Sequence, residues 1–144
     1  MGRPNAALPN FYHTAATRLI SKAQRLAYPD VLDYFGSKSK LKRNIPGLVT
    51  QMNLFRDNAG VIRVKSKFRD SNKWPILLPK RSKITTAIIK DSHERLGHVG
   101  IYAVLRDMER EFWVTNRFAT VKSVIANCIT CIVKNIKQFA SCQS

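Results

Sequence analysis

Two histidines and two cysteines are the residues of this chain best suited to chemistry. His93 and His98 form a His-x4-His pair, and Cys128 and Cys131 form a Cys-x-x-Cys pair. Imidazole nitrogen and thiolate sulfur are the donors that Zn²⁺ takes in closed, tetrahedral sites. A lone Cys-x-x-Cys also fits a redox dithiol, and a lone histidine pair fits ordinary packing. Together, and separated by two helix-like segments able to fold back on each other, the pairs point to one His2Cys2 zinc site. Their order excludes the ordinary zinc finger, where cysteines come first and only about a dozen residues separate the pairs. A thioredoxin-like dithiol would need a strand-helix-strand context that Cys128 lacks. Four protein ligands leave no position for a catalytic water, so a single structural Zn²⁺ is expected. Two thiolates and two neutral imidazoles make that site net neutral, and its binding energy becomes folding energy for the hairpin.

The elements that must deliver these ligands are readable in outline. Ser82 suits a helix N-cap, and Ile84, Ala87, Ile88 and His93 suggest the stripe that runs towards the metal. A His-x4-His step turns through about 500° of helix, so both rings cannot share one face of an unbroken helix. Gly97 lets the helix end and the chain turn back, with His93 ligating from the helix end and His98 from the turn. After Gly100, an amphipathic helix is expected with Ile101, Val104, Leu105, Met108 and Phe112 inward. Arg106, Asp107, Glu109 and Arg110 would face out. Thr115 or Asn116 then caps a second helix, with Phe118, Val121 and Ile125 inward and Lys122 outward, ending at Cys128. Residues 134–144 read as frayed, with Cys142 a free thiol.

Upstream, residues 1–10 read as a disordered lead. A helix follows from Phe11 to Tyr28, with an apolar stripe of Ala15, Leu19, Ala23 and Leu26 beside a basic stripe of Arg18, Lys22 and Arg25. His13 has no partner nearby in sequence. Pro29 stops the helix by pushing its predecessor out of the α region. Residues 36–47 form a basic linker. Asn53 to Arg56 and Val61 to Lys65 flank Asp57-Asn58-Ala59-Gly60, a hairpin pattern with Arg63, Lys65 and Lys67 on one face. A third short strand is expected at Ile76-Leu77-Leu78. The fold class is therefore α+β. A disordered lead (1–10), a helix and linker (11–50), a small β-hairpin region (51–81), a helical zinc domain (82–135) and a tail (136–144) make it up.

Composition bounds the partners. An apolar fraction of 44% in 144 residues supports a folded chain with one modest core or two small ones. Against 25 Lys+Arg stand 9 Asp+Glu, a formal charge of +16, so a polyanion is the expected partner: nucleic acid first, an anionic membrane surface second. No stretch approaches the roughly 20 apolar residues of a membrane-spanning helix, and the N-terminus has no apolar core of signal-peptide length. Three cysteines make no disulfide framework, so a reducing compartment, nuclear or cytoplasmic, is expected.

Three runs carry a resemblance. They are His93-x4-His98-x-Gly100, Leu105-Arg106-x5-Phe112-Trp113, and Val121-x2-Val124-Ile125-x2-Cys128-x2-Cys131. Together they resemble the His2Cys2 zinc-binding domain of retrotransposon and retroviral integrases. Upstream, Asp57-Asn58-Ala59-Gly60-Val61-Ile62-Arg63-Val64 and Pro75-Ile76-Leu77-Leu78-Pro79-Lys80 are similar to segments of BEL/Pao-type LTR retrotransposon polyproteins. The match departs from that family after Val64, where Lys65-Ser66-Lys67 stands in place of glycines.

The resemblance implies a three- to four-helix zinc module that helps integrase multimerise and hold DNA ends. Strand transfer would belong to a separate core with an Asp, Asp, Glu triad. No such triad is expected here. Asp57 reads as a turn former, and Asp91 and Glu94 as solvated charges, so no catalytic residue is assigned. Expected phosphate contacts are Arg63, Lys65, Lys67, Lys80, Arg81 and Lys83. The expected partners are DNA and either further copies or the rest of an integrase, with no membrane and no small-molecule substrate. The competing class is a protein–protein interaction module, or a domesticated remnant with no DNA role.

Overall fold

A computed structural model of the chain describes residues 10–37, 45–65 and 74–143. The chain divides into two compact units, Met1–Leu77 and Leu78–Ser144. Residues 1–9 of the expected lead, most of the basic linker and Lys67 lie outside the described residues, as do the side chains of His13 and Cys142.

The first unit opens with α1 (Asn10–Ala27). Tyr28 leaves the helical region (φ −130°, ψ 57°) because Pro29 crowds it, and Pro29 then begins α2 (Pro29–Gly36), where its missing N–H costs nothing. A short helix, α3 (Gly47–Met52), ends at Asn53, whose left-handed conformation (φ 56°) lets its N–H reach Val49 O. Neither α2 nor α3 was expected from the sequence; both are short, 8 and 6 residues.

The hairpin forms as expected. Strands β1 (Leu54–Arg56) and β2 (Ile62–Val64) pair antiparallel, Leu54 opposite Val64 and Arg56 opposite Ile62. Asp57 builds the turn: its Oδ1 accepts the N–H groups of Ala59 and Val61, each at 2.9 Å. Gly60 supplies the positive φ (+81°), and an added Cβ would also meet the Arg56 guanidinium at 3.3 Å. Strand β3 (Ile76–Leu78), also expected, pairs antiparallel with β2, Ile76 opposite Arg63.

The helix α1 packs with a different face from the expected one. Leu19 and Leu26 are 55% and 76% exposed, whereas Ile20, Ala23 and Gln24 are buried. Gln24 takes the central place because it satisfies the sheet's backbone. Its amide donates to Ile62 O (3.0 Å) and Leu77 O (2.7 Å), and its Oε1 accepts from Ile62 N (2.9 Å). A leucine there would leave three backbone groups unsatisfied in a core of Val31, Leu54, Val61, Ile62 and Leu77.

The second unit consists of α4 (Lys83–Arg95), α5 (Ile101–Met108), β4 (Phe112–Val114), α6 (Arg117–Ala126) and α7 (Ile129–Gln143). The helices α4, α5 and α6 pack against one another around Ile89, Val104, Met108, Val114 and Val121, all buried. Ser82 is the N-cap residue of α4 as expected, without a side-chain capping bond. The inward face of α4 is Thr85, Ile89, Ser92 and His93, not Ile84, Ala87 and Ile88: Ala87 is exposed. Thr85 can be buried because its hydroxyl donates to Pro79 O at 2.6 Å.

Three further expectations need correction. Phe112 is not on α5, which stops at Met108; the aromatic and β-branched run Phe112-Trp113-Val114 forms β4 instead. Phe118 faces solvent, 42% exposed, and Val121 is the buried residue of α6. The residues expected to fray continue α7 to Gln143. Among the described residues no single helix is long and apolar enough to cross a membrane.

Two changes test the first unit. Gln24→Leu should lower its stability by about 2–4 kcal/mol, from the orphaned backbone groups, while zinc content stays at wild type. Denaturant unfolding with metal analysis checks this. Burial opposes the Asp57 carboxylate, but hydrogen bonds from Arg63, Val61 and Ala59 outweigh it and hold its pKa below the ordinary 3.8. That stabilisation is complete above the ordinary value and is lost as the pH falls through the lower folded one. Asp57→Asn should therefore flatten the acid limb of the first unit's unfolding profile.

Candidate metal centre

His93 lies in the last turn of α4, buried, and the chain must reverse at once to return a second ligand. It does so through a tight C-terminal turn. Leu96 N donates to Ser92 O (3.0 Å), Gly97 N to Glu94 O (3.0 Å) and His98 N to His93 O (2.8 Å). Gly97 has φ +85°, and nothing lies within 4 Å of where its Cβ would be, so the demand for glycine is conformational. His98 itself is left-handed (φ 60°), a backbone state costing a non-glycine residue roughly 1 kcal/mol or more. That strain sits where the second imidazole must swing back beside the first.

The cysteines arrive from the other end of the hairpin. The helix α6 ends at Ala126, and Cys128 N donates to Ile125 O at 3.0 Å. Cys128 O then accepts from Ile132 N at 3.0 Å, so Cys128 caps α7 and Cys131 stands in its first turn. Both thiols are thus held at the N-terminus of α7.

The four residues converge as the sequence predicts, their ligand atoms all within 4.8 Å of one another. His93 Nε2 is 3.3 Å from His98 Nδ1 and 3.2 Å from Cys131 Sγ. His98 Nδ1 is 3.4 Å from Cys128 Sγ and 3.8 Å from Cys131 Sγ. Ordinary Zn–N and Zn–S bonds at tetrahedral angles require edges of about 3.3 Å between nitrogens and about 3.6 Å from nitrogen to sulfur. The observed edges fit a tetrahedron with His93 Nε2, His98 Nδ1 and both sulfurs at its corners. The site therefore suits one structural Zn²⁺.

The surroundings fix these donors. His93 Nδ1 lies 2.9 Å from Val99 O. A carbonyl can only accept, so Nδ1 carries the proton and the Nε2 lone pair is left for the metal. Asp107 draws α4 to α5: its Oδ2 accepts from Ser92 Oγ (2.6 Å) and from Arg95 Nη2 (2.7 Å). Burial opposes this carboxylate, but Ser92 and Arg95 outweigh it and lower its pKa. Asp107 was expected to face solvent. Its tie to Ser92, next to His93, escapes a reading that assigns every acid to the outer face. Without metal, the Cys131 thiol is pushed up by burial and then by Cys128 beside it, with Lys134 opposing. Zinc must displace these protons.

The expected phosphate contacts fall in different settings. In the first unit, Arg63 is half-buried and committed, donating to Asp57 Oδ2 (2.6 Å) and Trp74 O (2.7 Å). Lys65 is exposed, its Nζ 5.0 Å from the centre of the Trp74 ring. In the second unit, Lys80, Arg81 and Lys83 are exposed where the chain enters α4. Arg81 and Lys83, with Ser82, Thr86, Ala87 and Lys90, line a shallow depression of about 430 Å³. Lys90 was not singled out in sequence, although it lies two turns along from Lys83.

The fold and donor set define a helical His2Cys2 zinc module. Residues 81–137 match the family model of the integrase zinc binding domain, and the quartet lies inside that segment. No curated protein and no solved structure matches the chain.

Chelation should unfold the second unit and leave the first folded. Far-UV circular dichroism would show partial helix loss on adding EDTA, recovered with one equivalent of Zn²⁺. Because protons compete for all four ligands, zinc affinity should fall as the pH drops from about 7 to about 5. Cys131→Ser should give less than stoichiometric zinc by elemental analysis.

Proposed function

We propose that this chain is the zinc-stabilised nucleic-acid-binding module of a retrotransposon integrase, of BEL/Pao type, acting in the nucleus or cytoplasm. The observation that carries the reading is the tetrahedral quartet His93, His98, Cys128 and Cys131 inside the segment matching the integrase zinc binding domain. Its role in integration is to hold DNA and promote assembly, while strand transfer belongs to a catalytic core that these residues do not form. The zinc is closed by four protein ligands and serves folding, not hydrolysis.

The DNA part rests on charge. A surplus of +16 gives sequence-independent attraction to phosphates, and exposed Lys80, Arg81, Lys83 and Lys90 supply cations around the start of α4. The second reading is a protein–protein module. It is favoured by the exposed apolar residues Ile129, Ile132, Val133 and Ile136 at helical spacing on α7.

Salt titration tests the first reading. The logarithm of duplex affinity should fall linearly with the logarithm of salt concentration. Changing Arg81, Lys83 and Lys90 together to Gln should reduce that slope by about 3. Affinity that ignores salt would sink the electrostatic reading. Sedimentation with and without DNA separates the two classes: a complex that assembles equally well without DNA favours the protein–protein module.

A further inference from the structure

Tyr102 and Phe118 stand out among the exposed apolar residues. Tyr102, on α5, is 77% exposed, and Phe118, on α6, is 42% exposed. Their rings meet at 5.7 Å between centroids, tilted by 49°, so two helices bring an aromatic pair to the surface together. Burial does not account for the pair, since the seam between α5 and α6 is already filled by Val104, Met108 and Val121.

Two cations flank the pair. Arg106 lies one turn beyond Tyr102 and Lys122 one turn beyond Phe118, on the same helix faces, and both are exposed. Neither α5 nor α6 has an acidic residue in its first turn, where the aromatic residues sit. Of the acids between the two aromatic residues, Asp107 is held by Ser92 and Arg95 and Glu109 by Arg117, while Glu111 is exposed seven positions before Phe118.

We propose that this surface binds a single-stranded nucleic acid, with Tyr102 and Phe118 stacking on unpaired bases and Arg106 and Lys122 holding the flanking phosphates. A duplex hides its base faces and offers only phosphates here, so the aromatic pair discriminates for unpaired strands. Stacking is sequence-tolerant because every base has a π face, and cations one turn away suit the flanking phosphates. The inference rests on the nucleic-acid reading above and adds which form of nucleic acid this face selects. The aromatic pair separates it from the aliphatic stripe on α7, where nothing marks a particular partner.

The test uses the full zinc-loaded chain, a labelled oligothymidylate and a duplex of the same length. Tyr102→Ala and Phe118→Ala should each weaken oligothymidylate binding by about fivefold or more and leave duplex affinity within about twofold. Tyr102→Phe, which keeps the ring, should hold wild-type affinity. Because Tyr102 is largely exposed, its truncation should leave zinc stoichiometry at one, which guards against misfolding. If the alanine variants bind oligothymidylate like wild type, or lose both ligands equally, this inference is overturned while the general reading stands. If they alter sedimentation and not DNA affinity, the face is a protein interface and the inference again fails. If wild type binds neither ligand at low salt, the nucleic-acid reading itself is lost.

Discussion

Four ligand atoms must meet within one metal's reach, and the second unit is built to that demand. The requirement explains features that would otherwise be costs. A buried histidine needs a partner for its second nitrogen, and Val99 O provides it only because the chain turns back at Gly97 and His98. A non-glycine residue in the left-handed region is destabilising alone, and burial beside Cys128 makes the Cys131 thiol resist ionisation. Both penalties are offset by coordination, since Zn²⁺ binds the deprotonated sulfurs and the reoriented ring together. The apolar core of this unit is small, made mostly of single residues from each helix. Such a core leaves the metal a large share of the folding free energy.

The first unit solves a similar problem without metal. Its strands are three residues long, so many backbone groups fall at strand ends with no ladder partner. Gln24 supplies the missing partners from α1, and Asp57 closes the hairpin turn. In each unit a few polar atoms at fixed geometry set the register, and the apolar residues pack around them. That is the reverse of an ideal design, where apolar pattern fixes the arrangement and polar groups are kept outside.

What could be read in the sequence follows from this. The ligand quartet, the turn at Gly97, the Asp-Asn-Ala-Gly hairpin and the strand between Pro75 and Pro79 are written in residue types with narrow chemical roles. The helix phases are not. On α1, Ala15-Leu19-Ala23-Leu26 and Ala16-Ile20-Ala23-Ala27 are both helical stripes, and periodicity cannot choose between them. The choice is made by Gln24, whose value lies in two strands 38 and 53 positions away. The same limit applies to α4, where Thr85 and Ser92 are buried through hydrogen bonds to Pro79 and Asp107. Tertiary packing decides the short elements α2, α3 and β4.

Charge shows the same division between what composition fixes and what geometry assigns. With 25 basic and 9 acidic residues, pairing every acid to one base would still leave 25 − 9 = 16 cations. The surplus is therefore certain, but which cations carry it is not. Arg63, Arg95 and Arg117 are held by Asp57, Asp107 and Glu109, and the guanidinium fork suits such fixed pairs better than a lysine would. The described lysines near α4 stay on exposed turns and outer faces. Arginine here serves both as internal brace and as surface cation, as Arg63 and Arg106 respectively show. A residue's basic character alone thus says little about phosphate contact until its carboxylate partners are known.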